Sequence, residues 1–202
     1  MSLQALFKKR AAGSKIAGLT AYDASFAGLF ARAGCDFLLV GDSLGMVVQG
    51  AANTLGVSLG DVVYHTRCCA AGAGKRLLIA DLPFGSYENG ERDAFAAASR
   101  LLAAGAGMVK LEGGRRWAPT VRYLVERGVP VCAHIGLQPQ AALLTGLRMQ
   151  GKEPDAAQAI EADAAELSRA GASLIVLEMI PAALAGKITA ALFQVTMTTA
   201  RS

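Results

Sequence analysis

The chain has 202 residues, 53% of them hydrophobic and 18% charged, and a formal net charge of +4 at pH 7. This length fits one domain with a substantial core, and the composition is too apolar for a disordered chain. The uncharged stretch 43–60 contains polar residues and glycines, so we expect no membrane-spanning helix. Lys and Arg are dispersed and not interleaved with aromatic residues, which argues against nucleic acid as a partner.

The basic run 8–10 is followed by Gly13, Ser14 and Lys15 rather than by an apolar signal segment. We therefore expect a cytoplasmic protein. The four cysteines show no CxxC spacing and mostly lie in apolar runs, which favours buried free thiols over disulfides or a zinc site.

Short apolar strands and amphipathic helices alternate along the chain. Asp23 and the pair Ser58 and Asp61 supply oxygens that cap the first two predicted helices, and Pro119 suits the first turn of a later one. The predicted strands cover 15–20, 37–40, 77–80, 108–111, 129–133 and 174–177. The predicted helices cover 24–33, 59–72, 92–104, the region around 121–125, 155–170 and the residues after Pro181, with long loops at 43–58 and 136–153.

The strands are apolar throughout, which is typical of a parallel sheet covered by helices on both faces. Such βα units form either a doubly wound sheet or a (β/α)8 barrel, and in both folds ligands bind at the carboxyl ends of the strands. Acidic residues follow several different strands rather than meeting at one crevice, so we favour the barrel. The residues at these strand ends are Asp42, Asp81, Glu112, His134 and Glu178.

Asp42 and Asp81 offer only oxygen ligands, the preference of Mg²⁺ or a similar hard cation, and Glu112 is suited to holding a metal-bound water. Any one of these acids alone is more simply a cap of the following helix, but three together favour a functional site. Lys110 lies two residues before Glu112 and points to the same side of its strand. It either neutralises an anionic substrate or forms a structural ion pair.

His134 is a candidate substrate contact, although a core histidine is the commoner case. Glu178 follows an apolar run, and partial burial there would raise the pKa of its carboxyl towards that of a general base. A cation, a lysine and a carboxylate base together suggest proton abstraction beside a carbonyl, with stabilisation of the enolate.

Several segments resemble the ketopantoate hydroxymethyltransferase family. The resemblance runs in order through about residues 4–190, and its most specific block is Gly41-Asp42-Ser43-Leu44-Gly45-Met46. The other matching segments are 19–23, 47–50, 64–66, 81–84, 109–114, 134–140 and 150–151.

The resemblance implies a (β/α)8 TIM-type barrel of the phosphoenolpyruvate/pyruvate type, assembled as a homo-oligomer, often a decamer. It implies transfer of a hydroxymethyl group from 5,10-methylenetetrahydrofolate to 2-oxoisovalerate (3-methyl-2-oxobutanoate), giving ketopantoate for pantothenate and coenzyme A biosynthesis. It also implies residue roles: Mg²⁺ on Asp42 and Asp81 with Glu112 in the metal shell, keto acid on Asp42, Ser43, Asp81 and Lys110, His134 lining the pocket, and Glu178 as proton acceptor.

The sequence departs from this family after residue 192. Six βα units are counted where a barrel needs eight, so we expect one incomplete barrel domain over 1–192 and a divergent tail over 193–202. A truncated or frame-shifted product is the simpler explanation, and a natural short paralogue the alternative.

Without the last units, strands one and six would keep unpaired edges, and we expect little or no turnover. Residues 193–198 have some β propensity and could imitate a seventh strand. Two other functions remain open: an inactive fragment that associates with full-length subunits, and another Mg²⁺-dependent keto-acid lyase that uses no folate.

Overall fold

The computed structural model describes residues 2–198, which fall into two compact units divided between Lys110 and Leu111. Among the described residues, no helix has both the length and the apolar character needed to cross a membrane. The four cysteines, at positions 35, 68, 69 and 132, are free thiols, as predicted.

The first unit begins with a helix that the sequence analysis left unassigned, because Leu6 is its only buried residue. Three βα repeats follow, together with most of a fourth strand. The elements are α1 Leu3–Ala11, β1 Gly18–Thr20, α2 Ala24–Arg32, β2 Phe37–Val40, α3 Leu44–Val47, α4 Leu59–Ala73, β3 Leu77–Asp81, α5 Glu91–Ala103 and β4 Met108–Glu112, whose last two residues belong to the second unit.

The strands of the first unit pair in chain order and in parallel. β2, β3 and β4 are almost entirely buried, as expected for strands covered on both faces. β1 differs, because its three residues are exposed. Within the described part of this unit β1 pairs only with β2, so it has a neighbouring strand along one edge only.

Both predicted helix caps are present. Asp23 accepts a hydrogen bond from the backbone N–H of Phe26 and begins α2. Ser58 and Asp61 form a reciprocal capping box at the start of α4. α2 and α4 pack so closely that a Cβ at Gly72 would overlap the carbonyl oxygen of Ala24.

The second unit continues the alternation of strands and helices. A short 3₁₀ turn precedes its first helix, and a second 3₁₀ turn and a four-residue helix lie in the segment predicted as a long loop. The elements are α6 Ala118–Glu126, β5 Val131–Gly136, α7 Ala142–Thr145, α8 Pro154–Arg169, β6 Leu174–Glu178, α9 Ala182–Ala191 and β7 Val195–Thr198.

β5 is shifted relative to the predicted strand 129–133. Its parallel register with β6 aligns Cys132 with Leu174 and Gly136 with Glu178. His134, predicted to follow the strand, therefore lies inside it. Sequence hydrophobicity located this strand but not its end, since the end is set by pairing with β6.

β7 pairs in parallel with β6 over four residues, starting with Leu174 opposite Val195. Val195 is 2% exposed, and the Thr196 hydroxyl lies 2.7 Å from the Thr189 hydroxyl of α9. The expectation that strand six keeps an unpaired edge is therefore wrong, and the expected imitation of a seventh strand is confirmed. The domain boundary at residue 192 stays a prediction, and the end of the expected tail, 199–202, lies outside the described residues.

Candidate active site

A buried cluster lies at the carboxyl ends of β2, β3 and β4 in the first unit. The Lys110 ammonium is 2.6 Å from Asp81 Oδ1, and the backbone N–H of Asp42 donates to Asp81 Oδ2 at 3.0 Å. Asp42, Asp81 and Lys110 are all at most 5% exposed. The register aligns Asp81 with Lys110, so the ion pair follows directly from the pairing of the two strands.

Ser43 joins this cluster because Gly41 lacks a side chain. A Cβ at Gly41 would lie 2.8 Å from Ser43 Oγ and 3.5 Å from Asp81 Oδ2. The hydroxyl of Tyr22, at the end of β1, lies 2.8 Å from Ser43 Oγ. The first unit therefore brings together four of the residues predicted from sequence, Asp42, Ser43, Asp81 and Lys110.

A second cluster forms inside the second unit, around the imidazole of His134. Its Nδ1 lies 3.2 Å from Glu112 Oε1 and its Nε2 lies 3.1 Å from Glu178 Oε2. His134 and Glu112 are buried, whereas the Glu178 side chain is 23% exposed. The two carboxylates occupy opposite edges of one ring, which leaves Glu178 as the member of this cluster that is open to a ligand.

The backbone around Glu178 is tightly held. Gly136 lies opposite Glu178, and a Cβ there would overlap the Glu178 carbonyl oxygen, which accepts the N–H of Leu137 at 2.9 Å. Met179 has a φ of 45°, an uncommon left-handed conformation for a residue other than glycine. Such conformations persist where the surroundings impose them, often beside functional groups.

Sequence reasoning missed two residues that contact the predicted site residues. The backbone N–H of Gln140 donates to Glu112 Oε2 at 3.1 Å. Tyr22 contacts Ser43 through its hydroxyl. Both residues lie in segments that carried the family resemblance, but neither type signals a site role by itself, because glutamine and tyrosine are common in ordinary loops.

Within residues 2–198, no group of three or more His, Cys, Asp or Glu side chains is arranged to hold a metal ion. Asp42 and Asp81 remain an oxygen-only pair of the kind that hard cations prefer. Burial raises the pKa of the Tyr22 phenol, and the neighbouring Asp81 and Asp42 carboxylates raise it further, against the opposing hydrogen bond with Ser43. Tyr22 is therefore protonated at neutral pH.

Solved structures with this fold come from enzymes of low sequence identity. One is phosphonopyruvate hydrolase in complex with oxalate and Mg²⁺, with 18% identity and a TM-score of 0.66 over 89% of this chain and 62% of that chain. Another is a phosphonomutase-like protein from Burkholderia cenocepacia, with 17% identity and a TM-score of 0.74 over 92% of this chain and 78% of that one. A third is 2,3-dimethylmalate lyase, a member of the PEP mutase/isocitrate lyase superfamily, with 15% identity and a TM-score of 0.65 over 92% of this chain and 67% of that one.

These likenesses confirm the predicted α/β fold class, that of the (β/α)8 barrel, of which residues 2–198 carry six βα units and a seventh strand. They show the fold alone, because their sequence identities are low.

Sequence relatives are far closer. The chain is 57% identical over 193 residues to 3-methyl-2-oxobutanoate hydroxymethyltransferase of Thiobacillus denitrificans, covering 95% of this chain and 74% of that protein. The protein of the same name from an Azoarcus species is 55% identical, with 95% and 71% covered. The profile of ketopantoate hydroxymethyltransferases matches residues 1–199, beyond the point where the sequence analysis placed the end of the resemblance. The chain belongs to the ketopantoate hydroxymethyltransferase family.

Proposed function

We propose that the site of this protein serves transfer of a hydroxymethyl group from 5,10-methylenetetrahydrofolate to 3-methyl-2-oxobutanoate, giving ketopantoate for pantothenate and coenzyme A biosynthesis. The low turnover expected of a chain without the last two barrel units stays a prediction. Relatives of this protein at 53–57% identity carry the name of this activity. The observation that carries the proposal is the buried group of Asp42, Asp81 and Lys110 beside Ser43 at the strand ends. Such a group suits an anionic keto acid and a hard cation better than a purely structural role.

Asp42 and Asp81 would hold Mg²⁺. They present only oxygen atoms and lie on adjacent strand ends, where a buried negative charge requires a positive partner. The charges of Asp42, Asp81 and Lys110 sum to one negative charge, so a divalent cation together with a monoanionic keto acid would make the site neutral. Bound there, Mg²⁺ would supply Lewis-acid polarisation of the keto group.

The keto acid would contact Ser43 and Lys110 directly. Asp42 and Asp81 would contribute to its binding by holding the cation. The Lys110 ammonium is fixed by Asp81 at 2.6 Å, so its position does not have to be organised when the substrate binds. The Ser43 hydroxyl is suited to donating a hydrogen bond to the substrate carboxylate. These are four of the five substrate contacts predicted from sequence, and His134 is the fifth.

Glu178 would act as the base that removes the proton from C3 of the keto acid. Its partial exposure leaves it accessible, and its Oε2 lies 3.1 Å from His134 Nε2. In the balanced reaction, C3 forms a bond to the one-carbon unit of the folate, water supplies the hydroxyl group, and the bonds from that carbon to N5 and N10 break. The C3 proton and the remaining proton of the water end on N5 and N10 of the tetrahydrofolate that leaves. Two further roles complete this scheme and stay predictions. Glu112 would belong to the metal shell, and His134 would line the pocket.

We further propose that the protein acts in the cytoplasm on these small molecules, as a homo-oligomer, without nucleic acid or membrane partners. The dispersed positive charge and the family's biosynthetic chemistry support this assignment. The low identity to the mutases and lyases of the same fold gives no support to a folate-independent lyase activity.

The test is exchange of the C3 proton of 3-methyl-2-oxobutanoate for deuterium, followed by ¹H NMR in D₂O with Mg²⁺ and purified protein. We expect Asp81→Asn to slow exchange about 100-fold or more, because Asp81 would hold the cation and the Lys110 ammonium, the positive charges that stabilise the enolate. The exposed Asp155→Asn is the matched control and should leave the rate unchanged. Equal rates for wild type and Asp81→Asn would contradict the proposed site.

A further inference from the structure

Two segments of the family resemblance have no role in the proposed mechanism, the one containing Tyr22 and the one containing His65. The structure brings them into contact. His65 of α4 places its Nδ1 2.7 Å from the backbone carbonyl oxygen of Tyr22, and the two rings meet edge to face with centroids 6.4 Å apart. A carbonyl oxygen can only accept, so Nδ1 carries the proton in this contact.

Tyr22 reaches Ser43 because β1 and β2 are parallel neighbours. The register extends one residue beyond β1, where the N–H of Ala21 donates to the carbonyl oxygen of Leu39 at 2.9 Å. Tyr22 is therefore the next residue at the carboxyl end of β1, level with the turn that carries Ser43. Its hydroxyl lies 2.8 Å from Ser43 Oγ.

We propose that Tyr22 is a positioning residue, which fixes the direction of the Ser43 hydroxyl, and that His65 holds Tyr22 in place for this purpose. The inference rests on the proposed function, in which Ser43 binds the carboxylate of the keto acid. A serine hydroxyl has one hydrogen. When Ser43 donates that hydrogen to the substrate, it accepts the hydrogen of Tyr22, so the tyrosine leaves the serine only one productive orientation.

The electrostatic surroundings support this direction. The raised pKa of the Tyr22 phenol, caused by burial and by the nearby carboxylates, keeps its hydrogen available for donation. A Cβ at Gly41 would lie 2.8 Å from Ser43 Oγ, so the glycine leaves the space that the hydroxyl occupies. Tyr22 is thus a donor aimed at the serine from the neighbouring strand.

The experiment measures the Kd of 3-methyl-2-oxobutanoate in the presence of Mg²⁺ by isothermal titration calorimetry. Tyr22→Phe keeps the ring and removes the hydroxyl. We expect it to weaken binding about three- to tenfold, the effect of one hydrogen bond. Tyr64→Phe is the matched control: Tyr64 is 64% exposed and adjacent to His65, and its substitution should leave Kd unchanged.

A double-mutant cycle with Ser43→Ala separates positioning from a direct contact. If Tyr22 acts through Ser43, Tyr22→Phe should have no further effect on Kd in the Ser43→Ala background. An equal loss in both backgrounds would contradict the inference, as would an unchanged Kd for Tyr22→Phe when Ser43→Ala alone weakens binding. If Ser43→Ala leaves Kd unchanged, the proposed role of Ser43 fails, and the inference fails with it.

His65 provides a second arm. His65→Ala removes the donor to the Tyr22 carbonyl oxygen, and we expect a weaker Kd for the keto acid. His65→Asn places an amide N–H near the former Nδ1 and should restore most of the affinity. Equal affinities for His65→Ala and wild type would overturn the part of the inference that concerns His65.

Discussion

At the scale of single residues, the function depends on side chains whose surroundings fix their positions before a ligand binds. Asp81 is held by Lys110 and by the backbone of Asp42, and Glu178 Oε2 lies 3.1 Å from His134 Nε2. Such contacts reduce the reorganisation that a reaction would otherwise require. Substitutions at these positions should therefore change chemistry more than they change the fold.

Glu178→Gln tests the assignment of the base. A glutamine side chain has nearly the same shape but cannot accept the C3 proton, so we expect deuterium exchange at C3 of 3-methyl-2-oxobutanoate to fall about 100-fold or more. Mg²⁺ binding, measured by calorimetry, should change little. The exposed Glu126→Gln is the control and should keep the wild-type exchange rate.

Loss of Mg²⁺ binding in Glu178→Gln would show instead that this carboxylate is a metal ligand. Normal exchange with normal Mg²⁺ binding would place the base elsewhere.

At the scale of elements, the first unit depends on the close approach of α2 and α4. Gly72 lies near the end of α4 against the backbone of Ala24, and this contact leaves no space for a methyl group. A backbone atom, unlike a flexible side chain, cannot move aside at low cost. The packing of these two helices also sets the position of His65 on α4 and of Tyr22 before α2.

Gly72→Ala should therefore lower the free energy of unfolding by about 1–3 kcal/mol, the usual cost of overpacking. Gly186→Ala in α9 is the matched control, because Gly186 is exposed and a Cβ there meets open space. It should raise the free energy of unfolding by about 0.5–1 kcal/mol, since alanine is the better helix former. Urea denaturation followed by circular dichroism measures both, and equal midpoints for the two variants would contradict the packing argument.

At the scale of the whole molecule, two carboxylates couple folding to pH. Burial tends to raise the pKa of Asp36, but hydrogen bonds from Lys9 and from the N–H of Ala17 outweigh it and hold the pKa below its ordinary value. Hydrogen bonds from Ser58 lower the pKa of Asp61 in the same way. Both groups bind protons more weakly in the folded chain than in the unfolded chain.

We therefore expect the stabilisation from these groups to be fully present above about pH 4 and to be lost as the pH falls through their lowered folded pKa values. The urea midpoint should stay nearly constant between pH 7 and pH 5 and decrease steeply below pH 4. Asp61→Asn removes one of the two groups and should make that decrease shallower. A midpoint that falls mainly between pH 7 and pH 5 would show that other groups control acid stability.

The sequence predicted the strand ends well because their apolar runs and terminal acids are local features. Asp42, Ser43, Asp81 and Lys110 meet in one cluster as expected, since neighbouring parallel strands bring their carboxyl ends together. The contact of Ser43 with Tyr22 was not predictable in this way. It depends on the register of β1 with β2, and an isolated tyrosine carries no signal of its partner.

The sequence by itself determined the alternation of strands and helices, the family and the identity of the acids, because hydrophobic period, capping residues and motif order are properties of the chain. Only the tertiary structure decided that His134 lies between Glu112 and Glu178 and that 195–198 pairs with β6 as a seventh strand. The physical reason is the same in both cases. Strand register and the burial of Val195 arise from hydrogen bonds and packing between segments distant in sequence, which no local pattern encodes.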